Sequence, residues 1–557
     1  MMIWKTDYEY KTVEEAILGL SGQTSEQLLN PSECPAQNIQ GMVKAFQFVK
    51  RAITASVPVV IVGDYDADGM TSTAILLDAL HFLGVKPTFV IPHRFTEGYG
   101  INRRIVDGIK VPSLIITVDN GISAVDPIAY AKEKGHRVVI LDHHLPAEFL
   151  PNADVIVDPH VEPDKNGFVE YCGAGLALKL CSLLFADPEL REAKKYEREN
   201  LLTLWRELVV LAGIGTIADC MDLVGDNRAI VMKALKYLNN KNLVLSAGLR
   251  YLIELAVGTQ EGEINHDTVA FRIAPLLNAT SRLHDVGSMS VVKALICTNP
   301  TNANKYSAKM QEFNEKRKEL TKEWVEKVEK KMQENPSLVS PPIIIYEKDL
   351  HEGLCGIVAG RLVELHHMPA IVFTTNHQTG ELKGSARSVE GFHIKEMLDA
   401  MGDVFTAYGG HEGAAGLSVA NVEKLAEFKD KAKKYMAGMV FEDAAKYDVS
   451  IKEDEVVAAH DLLNRYEPFG KGVPKPVIRI DNFHAKPGYN NVHCRYMGAN
   501  DEHFKLNGDG YNVIAFGRGS DYKELGEPAD IALIGKIESN TFRGRVTPQI
   551  NVIDFTV

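Results

Sequence analysis

Between residues 57 and 160, short runs of β-branched and apolar residues alternate with segments of helical pattern. The apolar runs are VPVVIVG (57–63), TFVI (88–91), SLIITV (113–118), RVVIL (137–141) and DVIV (154–157). The first helical segment is TSTAILLDALHFLG (71–84). Strands that alternate with helices predict a parallel sheet covered by helices. We therefore expect an α/β fold with a doubly wound parallel sheet.

Acidic and histidine side chains follow several of these apolar runs. They are Asp64, Asp66 and Asp68 after the first run, Asp119 after SLIITV, Asp142, His143 and His144 after RVVIL, and Asp219 after the glycine-containing segment LAGIGTIA (211–218). In an open parallel sheet the carboxyl ends of the strands lie along one edge, where ligands bind. Alternate residues at a strand end also point the same way. We place all eight side chains at such strand ends and expect them to converge on one crevice.

The spacing at Asp64 opens the calcium-loop pattern of the EF-hand, but the chain does not continue that pattern. Its twelfth position is Ile75 where a bidentate Glu is required, and a strand precedes the loop where a helix is required. Carboxylates and imidazoles without thiolates favour Mg²⁺ or Mn²⁺, and the imidazoles favour Mn²⁺. So many carboxylates suit two ions about 3.5–4 Å apart, an arrangement that serves phosphoryl hydrolysis. Singly, each Asp could instead cap a helix, and the His pair could be structural.

Composition narrows the class of protein. The net charge of −13 argues against nucleic acid when taken alone, but metal-ligand carboxylates contribute to it, so a local phosphate-binding surface is not excluded. No apolar run approaches the 18 residues of a membrane span, and charges interrupt the N-terminal residues where a signal peptide needs its apolar stretch. The seven scattered cysteines predict reduced thiols. We expect a cytoplasmic protein without a membrane contact. The chain has no GxxxxGK[ST] loop, so ATP hydrolysis on such a loop is not supported.

The sequence pattern changes four times along the chain. We expect an N-terminal segment of unclear role (1–45), an α/β domain with a helical extension (46–298), one long Lys- and Glu-rich connector helix (299–337), a second α/β domain (338–445) and a strand-rich barrel (446–557). The alternative for the connector is an ordinary surface helix packed on one domain.

Several motifs resemble those of known families. DYDADG (64–69), VDNGI (118–122), DHH (142–144) and GTIADCMDL (215–223) match, in order and spacing, the four motifs of the DHH phosphoesterase superfamily. GSARS (384–388) and GGHEGAAG (409–416) resemble the DHH-associated domain. HEGLCGIVAGRL (351–362), NATSRL (278–283) and PFGKGVPKPV (468–477) are similar to the RecJ-like single-strand-specific exonucleases, in which an OB-fold occupies the position of residues 446–557. The chain departs from the usual NAAGR of that family at NATSR.

The resemblance implies roles for the acidic and histidine residues. Asp66, Asp68, Asp119, His143 and Asp219 would be metal ligands, with Asp119 as the bridge, and Asp64 would be a ligand or the partner of one. Asp142 would orient a histidine, and His144 would contact the scissile phosphate or protonate the leaving oxygen. The catalytic candidates are Asp66, Asp142, His143 and His144.

The resemblance also implies two surfaces for the nucleic acid. In the second α/β domain, nucleotide phosphate would be held by Arg282, Arg387, Ser388, Gly409, Gly410 and His411, with GGHEGAAG as a glycine-rich turn. Alone, that motif would indicate a tight turn at a helix start, and Arg282 could equally form a structural ion pair. In the barrel, Lys505, Arg518, Arg543 and Arg545 alternate with Phe504, Tyr511, Phe516 and Phe542. Such a pattern suits single strands, although these aromatics could equally be barrel core.

Taken together, the resemblance implies a 5′-to-3′ exonuclease on single-stranded DNA that releases mononucleotides with two divalent cations, Mn²⁺ or Mg²⁺, in repair and recombination. It would be a monomer, with a single-strand-binding protein or a helicase as its partner. The residues alone support only metal-dependent phosphodiester hydrolysis. The alternatives are a DHH phosphodiesterase of short oligoribonucleotides or cyclic dinucleotides, and an inactive replication scaffold of the same family.

Overall fold

The computed structural model describes residues 3–194, 197–258, 262–284, 287–376, 379–441, 444–487 and 493–557. The chain forms two compact units. Unit 1 comprises Met1–Asn278, Asp285–Lys309 and Ala444–Val557, and unit 2 comprises Ala279–His284 and Met310–Asp443. The strand-rich C-terminal part therefore belongs to the same compact unit as the first α/β sheet.

The first half of unit 1 contains the predicted parallel sheet. Its elements are β1 (Ile3–Lys5), α1 (Val13–Ser21), α2 (Ser25–Leu29), α3 (Met42–Thr54), β2 (Val59–Val62), α4 (Ala67–Phe82), β3 (Thr88–Val90), α5 (Arg103–Gly108), β4 (Leu114–Val118), α6 (Val125–Glu133), β5 (Arg137–Leu141) and β6 (Val155–Val157). The five strands of the sheet follow the order β3-β2-β4-β5-β6, and every neighbouring pair is parallel. Strands β2 and β4 are buried along their whole length, as in a sheet covered on both faces. The predicted fold class is confirmed.

A helical extension follows the sheet. Its helices are α7 (Gly173–Ala186), α8 (Pro188–Lys194), α9 (Arg198–Ala218), α10 (Gly225–Leu238), α11 (Ala247–Val257), α12 (His266–Thr268), α13 (Ala274–Leu283) and α14 (Gly287–Leu295). Among the described helices, α9 alone is long and apolar enough to cross a membrane. Residues 208–217 of α9 are buried without interruption inside unit 1. This burial is typical of a core helix.

The position of Asp219 corrects one sequence-based expectation. The apolar segment before Asp219 is the last part of helix α9, so this aspartate follows a helix and not a strand. A continuous apolar run fits a buried helix as well as a buried strand, so the pattern alone could not decide. The glycines of the segment serve helix packing, because a Cβ on Gly213 would lie 2.2 Å from Cβ of Ala234 in α10.

Helix α15 (Pro300–Glu334) is one continuous helix of 35 residues, as the Lys- and Glu-rich pattern predicts. Its residues up to Lys309 belong to unit 1 and those from Met310 belong to unit 2. In unit 2, Val328 and Met332 are buried in the core, with Trp324 packed against it. The helix is therefore exposed only in part.

Unit 2 contains a second five-stranded sheet. Its further elements are β7 (Ile343–Tyr346), α16 (Cys355–His366), β8 (Ala370–Thr375), β9 (Leu382–Arg387), α17 (Ile394–Asp399), β10 (Ala407–His411), β11 (Ala414–Val419) and α18 (Val422–Tyr435). The strand order is β10-β11-β9-β8-β7, and only β7 and β8 are parallel. The motif GGHEGAAG is not a glycine-rich turn or a helix start. It forms the hairpin of β10 and β11, with Gly409 and Gly410 inside the exposed edge strand β10.

The C-terminal part of unit 1 is rich in strands, as predicted. Its elements are β12 (Ala444–Lys446), β13 (Val449–Ser450), α19 (Val456–Tyr466), β14 (Ile478–His484), β15 (Cys494–Met497), β16 (His503–Asn507), β17 (Asn512–Ala515), α20 (Gly519–Glu524), β18 (Asp530–Phe542) and β19 (Arg545–Thr556). Seven strands form one sheet in the order β13-β14-β18-β19-β17-β16-β15. The long β18–β19 hairpin lies at its centre.

The N-terminal segment has a structural role that the sequence did not indicate. Strand β1 pairs in parallel with β12, so the first strand of the chain joins the C-terminal part of unit 1. Trp4 Nε1 donates to Asp554 Oδ2 at 2.7 Å, and the Tyr10 amide donates to the carbonyl of Asp448 at 2.8 Å. These contacts attach the two ends of unit 1 to each other.

Candidate metal centre

The acidic motif that follows β2 is a strand-turn-helix connection. Asp64 lies in the turn, and Asp66 is the N-cap of α4, where its side chain accepts the Gly69 amide at 3.0 Å. Asp68 therefore lies in the first turn of the helix. A Cβ on Gly69 would lie 2.6 Å from the backbone nitrogen of Asp64, so only glycine permits this tight connection. The three carboxylates meet because the chain turns into a helix, and not because a strand continues, as we expected.

Asp68 is fixed by the start of another helix. Its Oδ2 accepts the Gly173 amide at 2.6 Å and its Oδ1 accepts the Ala174 amide at 2.9 Å. Both amides belong to the first turn of α7, where unpaired N–H groups favour a negative charge. A Cβ on Gly173 would lie 2.7 Å from Cβ of Asp119, so this glycine lets α7 approach the centre.

His143 lies among the aspartates. Its Nε2 is 3.0 Å from Asp119 Oδ1, 3.6 Å from Asp219 Oδ2 and 3.8 Å from Asp68 Oδ2. Asp119 directly follows β4 and has φ of 59°, a left-handed conformation that is uncommon for a residue other than glycine. The ends of strands β4 and β5, the first turn of α4 and the end of α9 thus bring these four side chains together.

Asp142 orients its neighbours. Its Oδ2 accepts the Ile122 amide at 2.8 Å, and its Oδ1 accepts the His143 amide at 2.8 Å and faces His144 Nδ1 at 2.8 Å. The carboxylate thus has hydrogen-bond partners on both oxygens. This arrangement fits the predicted orienting role and leaves the His144 Nε2 atom away from Asp142.

Three groups of side chains have ligand atoms close enough to hold a metal ion. Their atoms lie within 4.8 Å of one another, and the groups are Asp64, Asp66 and Asp119; Asp68, His143 and Asp219; and Asp119, His143 and His144. Asp119 belongs to two groups, in agreement with the bridging role that the resemblance implied. All seven residues were predicted from the sequence, and Asp142 supports them.

Burial dominates the electrostatics of the centre. It raises the pKa of Asp64, Asp119 and Asp219 well above the ordinary carboxyl value, and the charges of neighbouring aspartates add to the rise. Burial would also raise the pKa of Asp142, but the hydrogen bond and charge of His144 outweigh it and leave that pKa lowered. For His144, the Asp142 contact outweighs burial and raises the pKa to about 9. The carboxylates other than Asp142 therefore lack sufficient positive charge from the protein.

The donor set fits hard or borderline divalent cations. Asp64 Oδ1 is buried and has no hydrogen-bond partner within the described ranges. A buried carboxylate oxygen without a partner is unfavourable, and binding a cation would remove that cost. The grouped ligands are carboxylates and imidazoles, the set that suits Mg²⁺ and Mn²⁺. Cys172 lies nearby, but its Sγ accepts the Gly175 amide at 3.4 Å as the N-cap of α7.

The loop after β3 brings residues to the centre that sequence reasoning missed. The Tyr99 hydroxyl donates to the Asp119 carbonyl at 2.6 Å and lies 3.1 Å from His144 Nδ1. The Arg94 guanidinium lies 4.8 Å from the ring centroid of Tyr65, and its charge acts on Asp64. This loop also follows a strand of the same sheet, so its position was a usable signal. It was missed because it contains no aspartate.

Two arginines of unit 2 lie at the start of α16. Arg282 Nη1 lies 3.5 Å from the carbonyl of Gly353, immediately before this helix. A Cβ on Gly356, in its first turn, would lie 2.8 Å from Arg387 Nη2 and 2.9 Å from Ser385 Oγ. Both predicted arginines therefore lie at the same helix N-terminus, where backbone N–H groups also attract anions. Burial lowers the pKa of Arg387.

The other residues predicted to hold phosphate are placed differently. The Ser388 hydroxyl donates to the Phe392 carbonyl at 2.6 Å, and Ser385, which we did not predict, is the serine that contacts Arg387. Gly409, Gly410 and His411 are exposed on the edge strand β10. A Cβ on Gly410 would lie 2.3 Å from the carbonyl oxygen of Ala414, so close strand packing accounts for this glycine.

The predicted strand-binding residues of the C-terminal part fall into two sets. Arg543 and Arg545 are exposed at the turn of the β18–β19 hairpin, beside Phe542, whose ring is 68% exposed. Arg518 instead bonds Asp554 at 2.8 Å and also pairs with Asp521. Its guanidinium is thereby occupied.

The remaining predicted residues of this surface are on neighbouring strands. Lys505 is half-buried on β16 opposite Arg495. Phe504 and Tyr511 are core residues, whereas Phe516 is 58% exposed. The hairpin turn and Phe516 are therefore the accessible part of the predicted surface.

Sequence profiles of three protein families match this chain. The profile of the DHH family, N-terminal domain, matches residues 58–214, that of the DHHA1 domain matches 340–438, and that of the RecJ OB domain matches 430–554. The first covers the sheet that carries the acidic centre, the second covers the sheet of unit 2, and the third covers the C-terminal strands.

The chain is similar to curated proteins over most of its length. It is 32% identical over 530 residues to the single-stranded-DNA-specific exonuclease RecJ of Bacillus subtilis, covering 93% of this chain and 64% of that protein. It is 31% identical over 553 residues to the protein of the same name from Haemophilus influenzae, covering 95% of this chain and 92% of that protein. The crystal structure of RecJ in complex with Mn²⁺ from Thermus thermophilus aligns with a TM-score of 0.77 and 25% identity, covering 100% of this chain and 79% of that one.

Proposed function

Because this chain belongs to the RecJ family of DHH phosphoesterases, we propose that it is a single-stranded-DNA-specific exonuclease. It degrades the strand from the 5′ end and releases mononucleotides by hydrolysing the terminal phosphodiester. The observation that carries the proposal is the convergence of Asp64, Asp66, Asp68, Asp119 and Asp219 with two histidines. Burial and neighbouring carboxylates raise the pKa of Asp119 at its centre, so the set is short of positive charge.

The centre fits two divalent cations, with Mn²⁺ preferred to Mg²⁺. When bound, such ions would supply a water of lowered pKa and would neutralise charge on the scissile phosphate. The residues that would hold them are Asp64, Asp66, Asp68, Asp119, His143 and Asp219. Asp119, which contributes to two of the groups, would bridge the ions.

The protein itself positions the proton donor. Asp142 accepts from the backbone of Ile122 and His143, which fixes its carboxylate, and the carboxylate holds His144 through Nδ1. The Tyr99 hydroxyl, anchored on the carbonyl of Asp119, supports the same ring. His144 is thereby oriented to contact the scissile phosphate and to protonate the leaving oxygen.

The pocket at the start of α16 would take the terminal phosphate of the strand. Arg282 and Arg387 lie at one helix N-terminus, and the Arg387 guanidinium donates to Ser385 Oγ at 3.2 Å and to the carbonyl of Ala386 at 2.8 Å, both uncharged. A phosphate there would receive a planar guanidinium beside the positive end of the helix dipole. Ser388, Gly409, Gly410 and His411 would line the approach from the β10–β11 hairpin.

The C-terminal part would hold the following nucleotides. Arg543 and Arg545 would neutralise phosphates, and Phe542 and Phe516 offer exposed ring faces on which bases stack. Lys505 would extend this surface along β16. We leave Arg518 out of the DNA contacts, because Asp521 and Asp554 occupy its guanidinium.

We further infer a cytoplasmic location and action as a monomer, with a single-strand-binding protein or a helicase delivering the strand. All seven cysteines are free thiols, which suits a reducing compartment. Copurification of either partner from cell extract, followed by size-exclusion chromatography of the isolated protein, tests these inferences.

The proposed activity is tested with one DNA strand labelled at the 5′ or at the 3′ end. With Mn²⁺ or Mg²⁺, the 5′-labelled strand should release a labelled mononucleotide at once, while the 3′-labelled strand shortens progressively. Chelator should stop both reactions, and a duplex should resist. Cleavage of a dinucleotide or cyclic dinucleotide but not of the long strand would contradict the proposal, and so would the absence of any hydrolysis.

A further inference from the structure

One loop of the C-terminal part of unit 1 is fixed onto α10, the helix that follows the metal ligand Asp219 in the chain. Arg228 in α10 is fully buried, and its guanidinium donates to the carbonyls of Tyr466 at 2.6 Å and Pro468 at 2.8 Å. Its Nε donates to the carbonyl of Leu28 at 2.6 Å. A buried cation that bonds only to backbone carbonyls specifies where that backbone lies. The loop after α19 is therefore held against α10 before any substrate binds.

The same loop contacts the segment that follows the metal ligand Asp219. The Leu223 amide donates to the carbonyl of Lys471 at 2.8 Å, and Gly470 and Val473 exchange two backbone hydrogen bonds of 2.9 and 3.1 Å. Lys471 thus lies at the tip of a closed turn whose backbone pairs with the chain leaving the centre.

Two glycines let this turn approach so closely. A Cβ on Gly470 would lie 2.7 Å from Nε2 of His266, and a Cβ on Gly472, whose φ is 74°, would lie 2.9 Å from Cβ of Asp222. Any larger residue on either side of Lys471 would push the turn away. Lys471 is the residue between the two glycines, and its side chain is the one that this turn projects.

The Lys471 side chain forms one ion pair, with Asp222, and remains largely exposed to solvent. Its Nζ is 3.4 Å from Asp222 Oδ1, and the two side chains are 64% and 38% exposed. Exposed pairs of this kind contribute little and exchange readily. The backbone of the Lys471 turn pairs with Leu223, four residues after Asp219, so Lys471 lies beside the chain that leaves the centre.

The loop also leads away from the centre into a cleft. Glu467 and Pro468 line a cavity of about 1150 Å³ between α10 and the β18–β19 hairpin. Phe542 and Arg543, at the hairpin turn, line the other side. Pro468 and Lys471 are separated by two residues of the same loop, so the loop that lines the cleft also carries Lys471. A strand that leaves the centre past Lys471 would enter the cleft directly.

We propose that Lys471 contacts a backbone phosphate of the bound strand next to the scissile phosphodiester and directs the strand into this cleft. The inference rests on the proposed function and adds a substrate-binding residue that the C-terminal part contributes to the catalytic centre. The ligand is the sugar-phosphate backbone of a single strand, which Lys471 meets as a point charge. The competing role for Lys471 is purely structural, as a counter-charge for Asp222 and Asp219.

The test uses the full-length protein with Ca²⁺ in place of Mn²⁺, a 5′-phosphorylated single strand with a 3′ fluorophore, and binding measured by anisotropy. A series of strands carries a neutral methylphosphonate at one phosphodiester at a time. In the wild type, one position near the 5′ end should weaken binding about tenfold, the size of one lost charged hydrogen bond. Lys471→Met should bind the unmodified strand about tenfold more weakly and should be insensitive to that position. Its salt slope should fall by about 0.7, and Lys471→Arg should restore most of the affinity.

Lys233→Met is the matched control, because Lys233 is an exposed lysine on α10 that also pairs with a single carboxylate, Glu33. It should behave as the wild type does. Asp222→Asn should leave the methylphosphonate profile unchanged, since the contact is with DNA and not with Asp222. If Lys471→Met keeps the wild-type profile while the wild type degrades single strands, the inference fails alone. If the wild type binds no strand at all, the proposed function fails with it.

Discussion

The carboxyl edge of the unit 1 sheet and the start of α16 in unit 2 are both polar sites, but their charges are opposite. At the sheet edge, burial and mutual repulsion raise the pKa of Asp64, Asp119 and Asp219. Bound cations would stabilise the charged form of these carboxylates. At α16, the half-buried Arg387 bonds uncharged groups beside a helix N-terminus, so the site calls for an anion. The difference teaches that unit 1 carries a site short of positive charge, whereas in unit 2 the Arg387 guanidinium donates to uncharged groups.

The largest effect is expected from Asp119→Asn, which removes the carboxylate shared by two ligand groups. Loss of charge stabilisation at a reacting phosphate of about 4 kcal/mol corresponds to about a thousandfold loss of kcat. The rate of mononucleotide release in Mn²⁺ measures it. Asp126→Asn, at an exposed acid on α6, is the control and should have no effect. An Asp119→Asn protein that retains most of its kcat would show that the acidic edge is not the reacting site.

A smaller and different effect is expected from Arg387→Gln in unit 2. Losing a charged hydrogen bond to phosphate, worth about 1.5–3 kcal/mol, should raise KM roughly ten- to hundredfold for a 5′-phosphorylated strand, with kcat nearly unchanged. For a strand with a 5′-hydroxyl, the same substitution should raise KM much less. Lys395→Gln, at a half-buried lysine paired with Asp399 on α17, is the control. If kcat fell and KM did not, the division between the two units would be wrong.

The pH dependence of stability should distinguish the two sites without any substrate. Because Asp64, Asp68, Asp119 and Asp219 have raised pKa values in the folded metal-free protein, they still bind protons where the unfolded chain has released them. The free energy of unfolding should therefore fall as the pH rises above the ordinary carboxyl pKa of about 4. Mn²⁺ should raise Tm, by an amount equivalent to about 2.7 kcal/mol at a hundredfold excess over Kd.

Differential scanning fluorimetry between pH 5 and 8 measures this effect. The rise in Tm with Mn²⁺ should be larger at the higher pH, since the carboxylates are then charged and repel one another. Arg387→Gln should keep the whole Mn²⁺ response, and Asp119→Asn should lose most of it. A Mn²⁺ response that is equal in Asp119→Asn and in the wild type would contradict the assignment of the metal site.

The smallest effect concerns the packing behind the acidic edge. A Cβ on Gly215 would lie 2.7 Å from Asp68 Oδ1 and from Cβ of Ala174, so Gly215→Ala should destabilise unit 1 by about 1–3 kcal/mol. Gly108→Ala is the control, because nothing lies within 4 Å of a Cβ there. Urea unfolding compares the two variants. Equal stability of both would mean that α9 does not pack closely on Asp68.

The acidic centre was predictable because most of its residues directly follow the strands of a sheet that the sequence pattern reveals. Asp64, Asp119, Asp142 and His143 each follow a strand of that sheet, and the rule that ligands bind at the carboxyl edge applies to them directly. Asp219 converges with them although it ends a helix, because α9 is buried beside α4. The prediction that Asp219 joins the centre was therefore correct, but the predicted cause, a position at a strand end, was wrong.

Other features depend on contacts that no local pattern reveals. Strand β1 pairs with β12, more than 400 residues later in the chain, and Arg228 bonds three carbonyls of two separate segments. Gly409 and Gly410 are in a strand because they pair with Gly416 and Ala415 of β11, whereas glycines in the sequence alone favour a turn. Tyr99 and Arg94 carry no acidic signature, so only the folded loop places them at the centre.

The most direct test of the central claim is the number of Mn²⁺ ions bound by the full-length protein, measured by isothermal titration calorimetry. The account predicts two ions per chain for the wild type and for Arg387→Gln. It predicts at most one for Asp119→Asn, because two of the three ligand groups include Asp119 and the group of Asp68, His143 and Asp219 does not. A wild-type stoichiometry of zero, or an unchanged stoichiometry in Asp119→Asn, would contradict the claim that the acidic edge of unit 1 is a two-metal site.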